Sequence, residues 1–462
     1  MLDTLINEAG YRAGDIVLRD IAFRVSKGES ILITGPSGSG KTTLLLALTG
    51  VLTNLLDGYL DGQVRIDGVD PISPDGFTYI PRYIGVVLQD PEKQLAMPKV
   101  LDEVLFTLEN LGYEGDAAYE IAREYLEDMD LWSKRDSHVE DLSGGEKRRL
   151  TIASALAHNP MIILLDEVTA SMDPWGISTI RRYIEGWRGE KTVIIVDHKA
   201  RYFIDLVDKV YLLDSQLMEV EDPDILENYN IDIMLKKRID RSPSKPGDKK
   251  LILENLSIGY GEPIQTGVSL EVRAGEVACI VGPNGIGKST LLKTIAGFLN
   301  PFDGSIYVDG KVFYVPQAPD NLFMFRSVSR ELREAIKKAG ASQDITSRLV
   351  DLYRLRMDIP PFRLSHGQRR LLANIIASIY SRDIILFDEP STGLDLNLYM
   401  EVVKQIRDLA DGGRAILISS HDPRILLDIC DKAYIMESGV EEVDVDDALK
   451  YLEDPVGGYE WG

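Results

Sequence analysis

The chain has 462 residues, enough for two large domains or about three of ordinary size, so core size is no obstacle to folding. Its 51 Lys and Arg against 74 Asp and Glu give a formal net charge of −23, which opposes nonspecific binding to nucleic acid or anionic lipid and argues against a nucleic-acid coat protein. No apolar run approaches the ~20 residues of a transmembrane helix, and we expect no export signal. Cys279 and Cys430 are too few for a disulfide framework, a four-ligand zinc site or an iron–sulfur cluster, so we expect two buried reduced thiols.

The first element with a clear function is a glycine-rich segment between an apolar strand pattern and an apolar helix pattern. Its sequence is GPSGSGKTT, and GPNGIGKST follows in the second half. A strand, G-x-x-x-x-G-K-[ST] and a helix form a loop whose backbone N–H groups surround a phosphate. We expect Lys41 and Lys288 to contact the β- and γ-phosphates, and Thr42 and Ser289 to hold Mg²⁺. The predicted ATP-binding residues are Gly35, Pro36, Ser37, Gly38, Ser39, Gly40, Lys41, Thr42, Thr43, Gly282, Pro283, Asn284, Gly285, Ile286, Gly287, Lys288, Ser289 and Thr290.

The spacing between the two copies shows where they differ in length. Lys41 and Lys288 are 247 positions apart, whereas Ser143 and Ser365, farther along each half, are 222 apart. The first copy is therefore longer before that point, chiefly around residues 53–83, and we expect the excess to be a surface elaboration.

A second repeated motif is LSGGEKRR in the first half and LSHGQRR in the second. Each has a serine ahead of an apolar helix pattern and a Glu or Gln three residues later, which predicts a capping box. Capping does not explain the glycines, because glycine weakens a first turn; they allow an anion to approach bare N–H groups. The residues of this motif are Ser143, Gly144, Gly145, Glu146, Ser365, His366, Gly367 and Gln368.

A third motif ends a buried strand with Asp-Glu, in IILLDE and IILFDE. Asp166 and Asp388 are predicted to hold Mg²⁺ through water. Glu167 and Glu389 are predicted to orient or deprotonate the attacking water, because phosphoryl transfer needs little beyond alignment and charge stabilisation.

The overall order of strand and helix patterns predicts an α/β fold with a largely parallel, buried sheet in each half. A polar, basic stretch at residues 227–250 separates the halves. We predict a first domain at residues 1–228, a linker at 229–248 and a second domain at 249–462.

With these motifs and a closing histidine all present twice, the chain resembles a tandem ABC-type ATPase along nearly its whole length. The resemblance implies two P-loop nucleotide-binding domains, each with a mainly parallel core sheet, an antiparallel β-subdomain and a helical subdomain. It implies ATP hydrolysis with Mg²⁺, with His198 and His421 at the γ-phosphate and Tyr11 and Tyr260 stacked on adenine. The Mg²⁺ contacts it implies are Thr42, Gln89, Asp166, Ser289, Gln317 and Asp388.

In that family each ATP lies between the phosphate loop of one domain and the LSGGQ-like motif of the other. Here this implies an intramolecular sandwich, favoured because fusion supplies both motifs at high effective concentration. One implied site joins Lys41, Thr42, Gln89, Asp166, Glu167 and His198 with Ser365 and Gly367. The other joins Lys288, Ser289, Gln317, Asp388, Glu389 and His421 with Ser143, Gly144 and Gly145.

Departures from the family pattern predict unequal sites. His366 replaces the first glycine of the second LSGGQ-like motif, so we expect the site containing Lys41 to hydrolyse ATP more slowly. Lys199 after His198, where Asp422 follows His421, and VTASMD in place of the usual PSTGLD are further differences. Neither difference removes a catalytic residue.

The segment at residues 88–112, LQDPEKQLAMPKVLDEVLFTLENLG, resembles a stretch of energy-coupling factor importers, and PQAPDNLFMFRSVSRELREA is a fainter copy. A helical-subdomain surface would also use such apolar positions as core. The resemblance implies the ATPase component of an importer of vitamins or transition-metal ions. It also implies an integral membrane coupling subunit, a separate membrane substrate-binding subunit, and a cytoplasmic location on the inner face of the cell membrane.

Two alternatives remain at this stage. The second transporter hypothesis is the tandem ATPase of a sugar or other ABC importer, which differs only in its partner. A soluble translation-associated ABC ATPase is disfavoured by the missing cysteine clusters, the short linker and the acidic balance. DNA-repair ATPases of this superfamily need a long coiled coil, for which this chain has no room.

Overall fold

The structure, a computed structural model, describes residues 1–12, 14–36, 38–88, 91–169, 172–229, 231–233, 247–340, 355–380, 382–394 and 396–453. By its internal contacts the chain divides into unit 1 (Met1–Met172 with Gly176–Met234) and unit 2 (Asp173–Trp175 with Leu235–Gly462). Three predictions lie outside the described residues: Ser37, Gln89 and most of the linker. The side chain of His366 lies outside them as well.

The elements of unit 1 follow the predicted alternation of strands and helices. Its strands are β1 (Leu2–Arg12), β2 (Asp15–Val25), β3 (Ser30–Thr34), β4 (Tyr59–Ile66), β5 (Ile84–Val87), β6 (Ile162–Asp166), β7 (Thr192–Val196), β8 (Lys209–Asp214) and β9 (Gln216–Glu219). Its helices are α1 (Lys41–Leu48), α2 (Val51–Asn54), α3 (Pro74–Tyr79), α4 (Pro91–Gln94), α5 (Val100–Asn110), α6 (Gly115–Asp128), α7 (Gly144–Leu156) and α8 (Pro174–Trp187).

Unit 2 repeats the pattern. Its strands are β10 (Lys249–Tyr260), β11 (Glu262–Arg273), β12 (Val277–Val281), β13 (Asp303–Val308), β14 (Val312–Val315), β15 (Ile384–Asp388), β16 (Ala415–Ser419), β17 (Lys432–Met436) and β18 (Val440–Val443). Its helices are α9 (Lys288–Ile295), α10 (Val328–Ala339), α11 (His366–Tyr380), α12 (Leu396–Asp411), α13 (Pro423–Ile429) and α14 (Val445–Glu453).

Each unit has one core sheet of mainly parallel strands and one antiparallel sheet. The core orders are β5-β6-β7-β3-β8-β9 and β14-β15-β16-β12-β17-β18, in which only the last pair of each is antiparallel. The antiparallel sheets have the orders β2-β1-β4 and β11-β10-β13. The α/β prediction is confirmed, with the mainly parallel core and the antiparallel strands that the resemblance implied.

Continuous apolar sequence explains the core sheets. Strands β3, β6 and β7, and their counterparts β12, β15 and β16, are buried at every position, as expected for parallel strands covered on both faces. The phosphate loops follow β3 and β12, and the Asp-Glu pairs begin at the ends of β6 and β15. In each unit the core sheet therefore brings its predicted reacting groups to the carboxyl ends of the strands.

Helices α5, α6 and α7 pack on one another through a shared apolar cluster that includes Val104, Leu108, Ala122 and Leu150, all fully buried. In unit 2, α10 packs on α11 through Leu332, Leu372 and Ile376. These groups are the helical layers beside each core sheet. Within the described residues, no helix has the length and apolar character needed to cross a bilayer.

The extra length of the first half lies partly where we expected it. Seventeen residues (67–83) separate β4 from β5, whereas three (309–311) separate β13 from β14. The insertion forms α3 and a 3-10 turn. Strand β4, inside the predicted stretch, is a strand of the antiparallel sheet and buries Val64 and Ile66, so the prediction of a surface elaboration applies only to the segment after it.

The prediction of two reduced thiols is wrong on their redox state. Cys279 and Cys430 are both fully buried, and they form a disulfide with Cα atoms 6.1 Å apart and a sequence separation of 151. Cys279 lies on β12, and Cys430 follows α13 just before β17, the strand that pairs with β12. Parallel pairing of distant strands brings the two together, which a single pair of cysteines does not signal in sequence.

Candidate functional site

The phosphate loop of unit 1 connects β3 to α1. Gly38 and Gly40 have φ angles of 82° and 99°, in the left-handed region that glycine adopts freely. The Lys41 ammonium is buried and donates to the carbonyl oxygens of Gly35 (2.9 Å) and Pro36 (3.0 Å), so the loop curls around its own lysine. Burial lowers the pKa of Lys41, and the Glu167 carboxylate 3.8 Å away opposes that shift.

The phosphate loop of unit 2 has the same geometry. Gly285 and Gly287 have φ angles of 84° and 114°, and Lys288 donates to Gly282 (2.7 Å) and Pro283 (2.9 Å). One contact differs, because Gln265 on β11 donates to the main-chain oxygens of Ile286 (3.2 Å) and Glu437 (2.6 Å). An amide side chain thus ties this loop to the adjacent sheet.

Each Asp-Glu pair begins where its strand meets the loop. The Thr42 hydroxyl donates to Asp166 at 3.3 Å, and the Ser289 hydroxyl donates to Asp388 at 2.9 Å. The buried Oδ1 of Asp166 has no hydrogen-bond partner in the described part of the chain. Hydroxyl and carboxylate oxygens are the donors Mg²⁺ prefers, so these residues fit that ion. Among the described residues there is no group of three or more acidic, histidine or cysteine side chains that could hold a metal ion.

The environment of Asp166 disfavours the ionised form of its carboxyl group. Burial, reinforced by the neighbouring Glu167 carboxylate, raises the pKa of Asp166 to about 6. A cation near this carboxylate would relieve that cost, because opposite charge favours the ionised form.

Both predicted catalytic glutamates have strained backbone. The φ angles of Glu167 and Glu389 are 44° and 47°, which costs a non-glycine residue ~1 kcal/mol. Each is held by its own N–H, which donates to Val196 O (2.7 Å) in unit 1 and to Ser419 O (3.0 Å) in unit 2. This geometry sets where each carboxylate points.

The closing histidines lie beside these glutamates, but at different distances. His421 Nδ1 is 2.8 Å from Glu389 Oε1, whereas His198 Nδ1 is 3.8 Å from Glu167 Oε1. Burial alone would raise the pKa of Glu389, yet His421 and Lys288 outweigh it and the net pKa is lowered. Both pairs join a carboxylate that stays ionised to an imidazole at the end of the next strand.

The aromatic and amide residues of the site are described in part. Tyr11 lies on β1 with its hydroxyl 3.3 Å from the Thr43 hydroxyl, and its side chain is 41% exposed. Tyr260 ends β10 and is 55% exposed. Gln317 follows β14 and is exposed, and its carbonyl accepts from Arg370 at 2.5 Å.

The LSGGQ-like motifs begin α7 and α11 as predicted. Ser143 and Glu146 form a complete capping box, and Ser365 and Gln368 exchange the equivalent bonds at 3.1 and 3.3 Å. A Cβ added at Gly144 or Gly145 would meet nothing within 4 Å, so packing does not require glycine there.

Gly367 differs from the first-half glycines. A Cβ there would lie 2.3 Å from Leu398 Cδ1, so glycine also makes room for α12. Anion approach is therefore not the only reason for a glycine at this position.

Sequence reasoning missed several side chains of the site. Arg148 and Arg370 are buried, and they donate to the main-chain oxygens of Leu88 (2.5 Å) and Pro316 (2.9 Å), the residues before the two glutamines expected to contact Mg²⁺. Asp197, before His198, is fully buried and accepts from Thr169 at 2.8 Å. The signal for these arginines in the sequence was the RR pair in each LSGGQ-like motif.

Comparison with known proteins agrees with this arrangement. Residues 18–170 and 265–392 match the ABC transporter family, once in each unit. The chain belongs to the ABC transporter family. It is a tandem ABC ATPase whose domains bind ATP, and the enzyme hydrolyses it.

Relatives resemble this ABC ATPase along most of their length. A Methanosarcina mazei protein, provisionally named an ABC transporter ATP-binding protein, is 31% identical over 451 residues, covering 91% of this chain and 90% of its own. A Bacillus subtilis protein, provisionally named the HMP/thiamine import ATP-binding protein YkoD, is 27% identical over 473 residues, covering 91% and 86%.

Solved structures share the fold. The RNase-L Inhibitor matches with a TM-score of 0.71 at 22% identity, covering 98% of this chain and 93% of its own. The archaeal ribosome recycling factor aABCE1 matches with a TM-score of 0.69 at 22% identity, and the match covers 97% of this chain and 92% of its own. At this identity the likeness establishes the architecture of a tandem ABC ATPase.

Proposed function

We propose that the chain is the fused ATP-hydrolysing subunit of an energy-coupling factor type importer, carrying a vitamin or a transition-metal ion. The observation that carries the proposal is the segment at residues 88–112 and its counterpart in unit 2, which resemble the partner-binding stretch of such importers. ATPase subunits of this kind drive a separate membrane subunit, and here that partner would bind these two segments.

The local structure of the first segment supports a binding role. Gln94, at the end of α4, accepts from the Leu88 N–H (2.8 Å) and donates to the Val86 carbonyl (2.7 Å), so its side chain links α4 to the end of β5. The buried Glu103 on α5 accepts from the N–H groups of Ala96 and Met97 at 2.8 and 2.7 Å. The loop between α4 and α5 is thus held rigidly, which lowers the entropy cost of binding a partner.

In unit 2 a buried glutamate holds the equivalent loop. The buried Glu331 on α10 accepts from the N–H groups of Met324 and Phe325. Met324 is 76% exposed, although its backbone is fixed. An exposed, flexible methionine on a fixed loop suits an apolar groove for a partner helix. The name of the Bacillus subtilis relative, which refers to HMP/thiamine import, agrees with a vitamin importer.

The chemistry we propose uses two composite sites within one chain. Lys41 and Lys288 bind phosphate oxygens through the glycine-rich loops, and the Ser365 and Ser143 motifs close the respective sites from the other domain. Glu167 and Glu389 accept a proton from the attacking water, while His198 and His421 hold the γ-phosphate end. Mg²⁺, held through Thr42 with Asp166 and through Ser289 with Asp388, would supply charge neutralisation at the phosphates. Closing and reopening of the domains would move the membrane partner.

Co-purification tests the function. The tagged chain, extracted from its native membranes in mild detergent, should bring down an integral coupling subunit and a small membrane-embedded binding protein, identified by mass spectrometry. A membrane permease with no such binding protein would instead support another ABC importer. A ribosomal or other soluble assembly with no membrane protein would overturn the transport assignment and leave the ATPase chemistry intact.

A pair of variants locates the binding surface. Met324→Asp places a charge where an apolar partner would bind, so recovery of the membrane subunit should fall at least ~10-fold. Met218→Asp is the matched control, because Met218 is also exposed (45%) but lies on the edge strand β9 of unit 1. Equal recovery with both variants would remove the unit 2 loop from the proposed interface.

Pairing of the composite sites is tested by combining variants. If Ser143 completes the site of Lys288, Ser143→Arg should lower turnover strongly in a Lys41→Ala background and add little in a Lys288→Ala background. The reverse pattern, or equal losses in both backgrounds, would contradict the intramolecular sandwich.

A further inference from the structure

The surroundings of the two Mg²⁺-site carboxylates differ more than the motifs suggest. Asp388 accepts three hydroxyl hydrogen bonds, from Ser289 (2.9 Å), Tyr314 (2.9 Å) and Ser419 (2.6 Å). Asp166 accepts one, from Thr42 at 3.3 Å, and its Oδ1 has no hydrogen-bond partner among the residues the structure describes.

Strand register shows that the difference lies at equivalent positions. Ser419 is the cross-strand partner of Asp388, and Val196 is the cross-strand partner of Asp166. Tyr314 pairs with the residue two before Asp388, and Val86 pairs with the residue two before Asp166. Unit 1 therefore has two valines where unit 2 has two hydroxyl donors.

These hydroxyls act on a buried carboxylate. Asp388 is 2% exposed and Asp166 is 3% exposed, so water does little to orient either group. Hydrogen bonds to a charged acceptor are short and strong, and they fix the rotamer of the carboxylate before a cation arrives. Partners that orient a metal ligand in this way change metal affinity by 10–100-fold when they are removed.

We propose that Tyr314 and Ser419 are positioning residues for Asp388, and that they give the unit 2 site a higher affinity for the nucleotide-bound divalent cation than the unit 1 site. Tyr314 fixes one carboxylate oxygen, and Ser419 and Ser289 fix the other. Asp166 lacks both donors, so binding the cation there includes the cost of ordering the carboxylate. The two halves thus differ in their divalent-cation requirement although their reacting groups are the same. This inference rests on the proposed assignment of Asp166 and Asp388 to the Mg²⁺ sites and is independent of the transport partner.

The test measures cation binding directly. Mn²⁺ is titrated by electron paramagnetic resonance into the full chain with the non-hydrolysable analogue AMP-PNP, in a Lys41→Ala background that reports unit 2 and a Lys288→Ala background that reports unit 1. The unit 2 site should bind Mn²⁺ at least ~10-fold more tightly than the unit 1 site. Equal affinities would overturn the proposal.

Variants assign the effect to the two hydroxyls. In the Lys41→Ala background, Tyr314→Phe and Ser419→Ala should each weaken Mn²⁺ binding by ~10-fold. Tyr434→Phe is the matched control, because Tyr434 is a buried tyrosine of the same sheet whose hydroxyl donates to Glu271 O at 2.9 Å, away from the Asp388 carboxylate. Unchanged affinity in Tyr314→Phe and Ser419→Ala, or an equal loss in Tyr434→Phe, would contradict the inference.

Two further changes separate the positioning role from misfolding and from a wrong cation ligand. Val86→Tyr with Val196→Ser in the Lys288→Ala background should tighten Mn²⁺ binding at the unit 1 site, a gain that misfolding would not produce. Asp388→Asn separates the possible failures. If it leaves Mn²⁺ affinity unchanged, the assignment of Asp388 to the cation is wrong; if it weakens binding while the hydroxyl variants do not, only the positioning role fails.

Discussion

At the scale of single residues, the two Glu–His pairs are the main difference between the reacting groups of the two halves. Glu389 lies 2.8 Å from His421 and is nearly inaccessible, while Glu167 lies 3.8 Å from His198. In the proposed mechanism, the closer pair would hold the attacking water in line more firmly. The site that uses Glu167 would, in the proposed sandwich, also face His366 in place of a glycine.

We therefore expect the site of Glu389 to carry most of the turnover. Glu389→Gln should remove most of the steady-state ATPase activity, because a positioned general base contributes ~100-fold or more to the rate of its own site, and only the share of the slower site should remain. Glu167→Gln should leave at least about half of the activity. Phosphate release by the two variants should be measured side by side. A larger loss of ATPase activity in Glu167→Gln than in Glu389→Gln would contradict the proposed difference between the sites.

The burial of His158, which follows α7, leads us to expect that the protein loses stability at acidic pH. Burial, with the nearby Lys191 charge acting in the same direction, lowers the pKa of His158 from 6.5 to about 4. Between those values the unfolded chain binds a proton that the folded chain does not, so stability falls as pH drops from about 6.5 towards 4.

At ~1.4 kcal/mol for each pKa unit, the contribution of His158 is at most ~3 kcal/mol. His158→Gln should make the free energy of unfolding less dependent on pH across that window, as measured by urea titrations at pH 7 and pH 5. Parallel pH dependence in the variant and the parent would exclude this role.

At the scale of elements, buried glutamates tie two loops to the helices that follow them. Glu103 and Glu331 each accept two N–H groups from the loop before their helix. In the segment at residues 88–112 and its counterpart, these acidic side chains are therefore structural. Each holds a loop in place, and the loop rather than the charge is what a partner would meet.

Removing the Glu331 carboxylate should weaken the loop before α10. Glu331→Ala leaves the Met324 and Phe325 N–H groups without their acceptor, which should cost ~2 kcal/mol of unfolding free energy and speed hydrogen exchange at those two amides. Glu334→Ala, on the same helix, is the control and should change stability by less than ~0.5 kcal/mol. Unaltered exchange at Met324 and Phe325 in Glu331→Ala would show that the loop is held by other contacts.

The same scale shows what sequence can and cannot predict here. The phosphate loops, the capping boxes and the Asp-Glu strand ends are local patterns, so sequence spacing was enough to place them. Tyr314, Ser419 and Gln265 reach the site through strand register and neighbouring sheets, which no spacing along the chain reveals. Arg148 and Arg370 follow a recognised motif, but their contacts with the loops before Gln89 and Gln317 depend on helix packing.

At the scale of the whole molecule, the two units have the same topology but differ in their covalent cross-links. Unit 2 alone contains both cysteines, and their disulfide links residues 151 apart, between the strand that leads to its phosphate loop and the segment before β17. Such a long covalent loop restricts the unfolded chain strongly in the chain-entropy description.

The disulfide predicts redox-dependent stability. Cys279→Ala with Cys430→Ala should lower the free energy of unfolding by ~2–5 kcal/mol relative to the oxidised parent, and only the parent should lose stability when unfolded and refolded with a reductant. Thiol titration in denaturant without reductant should find no free thiol in the parent. Two titratable thiols would show that the pair is reduced in the purified protein.

The left-handed backbone at Glu167 and Glu389 bears on the history of the duplication. Glycine would occupy either position without strain, so a copy that no longer needed its carboxylate would have a stabilising substitution within reach. Neither half has made that change, although their surroundings have diverged at the histidines, the valines and the LSGGQ-like motifs. Both halves therefore keep, at the cost of local backbone strain, the carboxylate that the proposed mechanism uses.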